Sequence, residues 1–300
     1  MVGTRSSASR RSLIVALALA VGWTAATYQD ASAHTNSRDK PIVFLHGYNG
    51  GHCTNDWREL LMDMRAAGFS GHFYVVKYLS GDSNCDLSGI PDASNASLFE
   101  YGSHGSVYGH PGTEHDHDTD IRHLSWHLSN FLRDHIPDDP PIDVVGHSMG
   151  GLIIRFAIAK QGLGDWPNLD IEDVVTLGAP HNGVNFSKWI GTLQGEQMEP
   201  ESYFIGWLRD RAMNPQGVEG TDWSVLGSKA DLVVGQNTAT YMSVDNRVRF
   251  GLLPLPIGHG DYMHVGGSRD SSVWTGDRYQ TLYTYGPKPM TRAALQYDGW

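Results

Sequence analysis

The chain has little of three things. Cysteine is scarce: two residues, Cys53 and Cys85, in 300. That excludes a cysteine-rich metal scaffold and a multiply cross-linked mini-domain. Basic residues are outnumbered, 22 Lys+Arg against 33 Asp+Glu. Such a balance argues against nucleic acid and anionic membrane surfaces as partners. Long apolar runs are nearly absent. Leu13 to Trp23 is the only sustained one, and it is too short to span a bilayer. No internal repeat or low-complexity linker interrupts the rest.

That one run has flanks that explain it. Arg5, Arg10 and Arg11 precede it, and Ala31-Ser32-Ala33 follows it. A positive start, an apolar middle and an A-x-A site read as an export signal cleaved before His34. Ser9-Arg10-Arg11-Ser12-Leu13-Ile14 also fits a twin-arginine signal, and an ordinary secretory signal remains open. The expectation is a secreted protein with residues 1–33 removed and no membrane anchor. Residues 1–33 carry three Arg and one Asp, so residues 34–300 hold 19 basic and 32 acidic side chains, net −13. Their 267 residues suit one large α/β domain. In an oxidising compartment, Cys53 and Cys85 are expected to pair, both lying in loop-like polar stretches.

The chemistry concentrates at Gly146-His147-Ser148-Met149-Gly150. Ile142, Val144 and Val145 before it read as a buried strand. Leu152 to Lys160 after it reads as a helix. This is G-x-S-x-G in the strand–turn–helix context that makes it a nucleophile elbow. The turn strains Ser148 and leaves no room for a Cβ at Gly146 or Gly150. A glycine-rich turn with an incidental serine is the plainer alternative.

Other strands lead to similarly equipped loops. Lys40 to Leu45 ends in His46-Gly47-Tyr48-Asn49-Gly50. Its backbone N–H groups lie where an oxyanion would form, so Tyr48 N–H and Met149 N–H are the expected donors. Trp57 to Ala67 has helical period, and Gly71 to Tyr78 reads as a strand. Residues 81–117 run without periodicity. Asp170 to Leu177 is a further buried-type strand, ending in Gly178-Ala179-Pro180-His181-Asn182-Gly183.

Taken in order, His46-Gly47, Gly146-His147-Ser148-Met149-Gly150-Gly151 and Leu177-Gly178-Ala179-Pro180-His181-Asn182-Gly183 resemble the secreted bacterial lipases and esterases of the α/β-hydrolase superfamily. The likeness runs from about Pro41 to His264. It implies an α/β fold with a mostly parallel central sheet and helices on both faces. It also implies a triad in the order Ser, Asp or Glu, His. Thr221 to Leu226 reads as the strand before the acid, which points to Asp231 ahead of Asp222 or Asp245. The base should follow the last strand, and Arg247 to Leu255 reads as that strand. His259, directly after Gly258, is preferred there, with His264 the alternative. The long stretch of about 182–221 is rich in Phe186, Trp189, Ile190, Trp207 and similar residues. It reads as a lid-like insertion or as helices covering the core. His181 reads as structural or as a residue supporting the site from behind.

The resulting expectation is a secreted carboxylic-ester hydrolase that needs no cofactor and acts as a monomer on small-molecule or lipid esters. A polyester depolymerase, or an amidase or peptidase, would keep the same triad. A non-catalytic binding protein would normally lack one member of it.

One motif stays outside this scheme. His104, His110, His115, Asp116, His117, Asp118, Asp120, His123 and His127 crowd one stretch. Imidazole and carboxylate can hold zinc or calcium. No known ligand spacing is matched, so the stretch reads instead as an acidic helix start, and no metal is assigned. Asp118 or Thr119 would cap a helix running through Ile121, Leu124, Leu128 and Leu132.

Overall fold

A computed structural model describes residues 37–48, 57–98, 108, 115–136, 141–185, 191–276 and 278–297. The export signal, Cys53, His104, His110, Phe186, Trp189 and Ile190 lie outside these residues.

The β-branched and aromatic runs form strands, and the strands form one sheet. They are β1 (Ile42–Leu45), β2 (Phe73–Lys77), β3 (Ala93–Ser97), β4 (Ile142–His147), β5 (Ile171–Leu177), β6 (Asp222–Ser228), β7 (Asn246–Phe250), β8 (Arg269–Thr275) and β9 (Arg278–Thr284). Their spatial order is β3-β2-β1-β4-β5-β6-β7-β8-β9. Pairs from β3 to β7 are parallel; β7–β8 and β8–β9 are antiparallel.

Alternation along the strands sends side chains to two cores. Val43, Leu45, Val144, Val174 and Val225 share one core with helices α2 (Ile121–His135), α3 (Met149–Gly162) and α5 (Tyr203–Arg211). Ile42, Phe44, Val145, Val175 and Leu226 share the other with α1 (Arg58–Ala66) and α7 (Pro287–Ala294). A sheet buried on both faces needs such unbroken apolar strands. Among the described residues there are also two short helices, α4 (Leu193–Gln197) and α6 (Gln236–Ala239). No helix among the described residues is long and apolar enough to cross a membrane.

Three elements differ from the sequence reading. Strand β3, Ala-Ser-Asn-Ala-Ser, lacks both apolar runs and alternation; it is an edge strand held by pairing with β2. The extended reading of Arg247 to Leu255 stops early, at Phe250, because Pro254 and Pro256 supply no N–H to a ladder. Leu252, Leu253 and Leu255 therefore stand exposed in a loop. The β8–β9 hairpin follows the candidate base, so β7 is not the last strand.

At the other end of the strands lies a buried charge cluster. Lys40 Nζ sits 2.9 Å from Asp143, 3.0 Å from Glu172 and 3.0 Å from Asp173. Burial opposes the ammonium charge, but the three acids together raise the Lys40 pKa. One ammonium cannot balance three buried carboxyl groups. Burial, reinforced by Asp173, holds the Asp143 carboxyl well above its usual range.

The insertion divides. Helix α5 turns Phe204, Ile205 and Leu208 into the first core. Arg155 of α3, itself fully buried, donates to the carbonyls of Leu208, Ala212 and His181. Burial lowers its pKa to about 9. This part of the insertion packs over the first core.

Candidate active site

Ser148 lies between β4 and α3 with φ 52 and ψ −124. A positive φ at a non-glycine residue costs energy and persists only where the surroundings enforce it. They do so here by close packing. A Cβ on Gly146 would stand 2.8 Å from Gly151 N, and one on Gly150 would run into the Leu45 carbonyl. The loop after β1 presses equally close: a Cβ on Gly47 would come within 2.8 Å of Ser148 Cβ.

Around Ser148 the strand ends supply partners in series. His259 Nε2 lies 2.9 Å from Ser148 Oγ, and His259 Nδ1 lies 2.8 Å from Asp231 Oδ2. Asp231 follows β6 and His259 follows β7, both at the carboxyl edge of the sheet, where functional groups gather in such folds. The carboxylate is fully engaged. Its Oδ1 accepts from Val233 N at 3.0 Å and Val234 N at 2.8 Å. Its Oδ2 also accepts from Tyr262 Oη at 3.2 Å. Burial, and then the Asp231 charge, raises the Tyr262 phenol well above its usual pKa, so it remains a donor.

His264 is elsewhere. Its Nδ1 faces Glu59 at 3.4 Å on α1. Of the two histidines weighed from the sequence, the structure brings His259 to the serine. Asp222 opens β6 and pairs with Gln216, so it too stands apart.

Sequence reasoning passed over His147. Its Nε2 donates to the His259 carbonyl at 2.8 Å, and its ring lies 4.8 Å from the His259 ring. Burial, followed by the neighbouring His259, lowers the His147 pKa to about 3. The ring is therefore neutral, with its proton on Nε2, and it holds the His259 loop by the backbone. The available signal was its place beside Ser148 in the elbow.

The loop after β1 is braced as well. His46 Nε2 meets Asp82 at 2.7 Å, and its ring stacks on Tyr78 at 3.9 Å. Tyr78 donates its hydroxyl to the His46 carbonyl. Burial pushes the Asp82 carboxyl up, but hydrogen bonds from His46, Leu79 and Tyr78 outweigh it and leave the pKa lowered. Tyr48 follows, its hydroxyl 2.9 Å from Thr192 Oγ1. Met149 is the first residue of α3, where a backbone N–H has no partner within the helix. His181 is buried and pairs with Thr176 Oγ1 at 2.9 Å, in keeping with a structural part. Burial lowers its pKa well below the usual value.

Cys85 is buried beside β3, its backbone bonded to the Asn95 side chain. Its expected partner, Cys53, lies outside the described residues. Near α2, the cap is Asp120, whose Oδ1 accepts from Arg122 N at 2.8 Å, in place of Asp118 or Thr119. The buried row Ile121, Leu124, Leu128 and Leu132 is as expected.

Compared with known proteins, residues 40–217 match a family model described as alpha/beta hydrolase fold. No curated protein matches. Similar solved structures include the lipase BlEst2 of Bacillus licheniformis. Its mature form is 20% identical over 70% of this chain and 73% of that one, with a TM-score of 0.41. Its propeptide form is 19% identical over 66% of this chain, with a TM-score of 0.41, and this chain spans only 38% of its length. Phospholipase PlaB of Legionella pneumophila, in complex with thio-NAD, is 13% identical over 82% of this chain and 48% of that one, with a TM-score of 0.48.

Proposed function

From the premise that this chain belongs to the alpha/beta hydrolase fold family, we propose that it is a secreted serine hydrolase of carboxylic esters. The observation that carries the reading is the unbroken series Ser148 Oγ, His259 and Asp231, with links of 2.9 and 2.8 Å.

The chemistry follows from these contacts. Ser148 Oγ bonds to the ester carbonyl carbon while His259 Nε2 takes its proton. Asp231, tied to His259 Nδ1, fixes the tautomer and offsets the imidazolium charge. Backbone N–H groups of Tyr48 and Met149 stabilise the carbonyl oxygen as it becomes negative, aided by the positive end of α3. The carbon–alkoxide bond then breaks, and the alcohol leaves with the proton from His259. Water attacks the acyl-serine, His259 takes a proton from that water, and Ser148 is released with it. No cofactor takes part in any step.

Support for an apolar acyl group comes from the loops. Leu232 directly follows Asp231 and is 95% exposed, while Leu252, Leu253 and Leu255 stand exposed before His259. Exposed leucines in the loops that carry the acid and precede the base suit a lipid-like ester. Secretion rests on the export-signal pattern of residues 1–33.

The test is hydrolysis of nitrophenyl esters of increasing acyl length. Wild-type protein is expected to turn them over, and Ser148→Ala to lose about 10⁴- to 10⁶-fold in kcat. Amides cleaved in preference to esters would overturn the substrate class.

A further inference from the structure

Three histidines converge in the first core, and none of them is a partner of Ser148, His259 or Asp231 described above. His123 and His127 stand one turn apart on α2, so they share a helix face. Their Nε2 atoms are 3.0 Å apart. His115 arrives from the segment before the helix. Its ring centroid is 5.1 Å from that of His123 and 4.8 Å from that of His127. One nitrogen from each ring lies within 4.8 Å of the others, and all three residues are buried.

We propose that His115, His123 and His127 bind one divalent transition-metal ion of the zinc class. The sequence reading assigned no metal here, since no known ligand spacing is matched; it is the fold that brings His115 to the pair. Three imidazoles offer borderline-soft nitrogen donors and no carboxylate oxygen. That set suits zinc, copper, nickel or cobalt, and not calcium or magnesium. With Zn–N of about 2.05 Å, tetrahedral ligation places nitrogens about 3.3 Å apart. The His123–His127 separation of 3.0 Å is already close to that. A nitrogen 4.8 Å away must close by about 1.5 Å, which a side-chain rotation supplies. A water molecule completes the fourth position.

The backbone around His115 shows what such an ion would fix. The His115 carbonyl accepts from Ser80 N at 2.6 Å. Gln194 of α4 donates its side chain to the Asp116 carbonyl at 2.8 Å and the Thr119 carbonyl at 3.0 Å. The His117 ring meets Tyr48 edge-on at 4.1 Å. An ion joining His115 to α2 would lock this segment, and through it brace the insertion and the Tyr48 loop. Its part is structural.

The experiment uses the full chain after treatment with a chelator, with Zn²⁺ and Co²⁺ as probes and circular dichroism as the fold check. One equivalent of Zn²⁺ is expected to bind, Co²⁺ to give the intense visible bands of tetrahedral ligation, and Tm to rise with free Zn²⁺. His115→Gln and His123→Asn are each expected to weaken binding by about 100-fold or more. Should the helix variant misfold, His115→Gln, in the loop, decides. Failure of the wild type to bind at micromolar metal would overturn the proposal, as would full binding by a folded His115→Gln protein.

Discussion

Replacing His147 with Phe keeps ring volume in the elbow and removes one donor, the Nε2–H to the His259 carbonyl at 2.8 Å. At neutral pH the lost hydrogen bond, with a part-buried carbonyl left wanting, costs about 1–2 kcal/mol. The acid limb behaves in the opposite sense. The folded state holds His147 at a pKa of about 3, against 6.5 in the unfolded chain. Between these values the unfolded state binds a proton that the folded state refuses, so wild-type stability falls as pH drops below about 6.5. The slope approaches about 1.4 kcal/mol per pH unit. The variant lacks this penalty, although His181 still contributes one of its own. At pH 5 the wild type has lost about 2 kcal/mol through His147, enough to cancel the deficit of the variant. Urea unfolding at pH 7, 6, 5 and 4 should show the two stabilities converge near pH 5 and cross below it. In kinetics at pH 8, kcat should fall by about 10- to 100-fold with KM little changed, since the His259 loop loses its anchor. A constant stability gap across the pH range would refute the neutral, buried His147.

Three other perturbations follow from the same contacts. His259→Ala should cost about 10⁴-fold or more in kcat on a nitrophenyl ester, whereas His264→Ala, which removes only a surface contact to Glu59, should retain near-wild-type turnover; the reverse pattern would transfer the base to His264. Lys40→Met leaves Asp143, Glu172 and Asp173 buried without their cation and should cost about 3–5 kcal/mol in urea unfolding. That deficit should be smaller at pH 5 than at pH 8, because a buried acid with a raised pKa folds more favourably when it can keep its proton. Native protein, alkylated without reduction, should yield no modified cysteine by mass spectrometry if Cys53 and Cys85 pair, and reduction should lower Tm; two alkylated thiols would remove the bridge.

Much of this arrangement could be read from local sequence, and the parts that could not have physical reasons. The elbow was legible because a strained serine needs glycine on both sides, and that need shows in the sequence. Asp231 and His259 were reached through the triad order that the family resemblance implies, each after a run that reads as a strand. Strand β3 was missed because its residues carry no period, and its strand state comes from the neighbour it pairs with. The β8–β9 hairpin was overlooked beyond the candidate base. His147 was hidden by the motif itself, whose second position tolerates many residues. The three-histidine cluster was half visible: His123 and His127 are spaced one helical turn apart, but nothing local brings His115 to them.

The most direct measurement of the central claim is covalent trapping with a fluorophosphonate, read by intact mass and peptide mapping. One adduct is expected, on Ser148, forming in step with loss of esterase activity. It should be absent from Ser148→Ala and slowed in His259→Ala. An adduct on another residue, or esterase activity that survives in Ser148→Ala, would contradict the account.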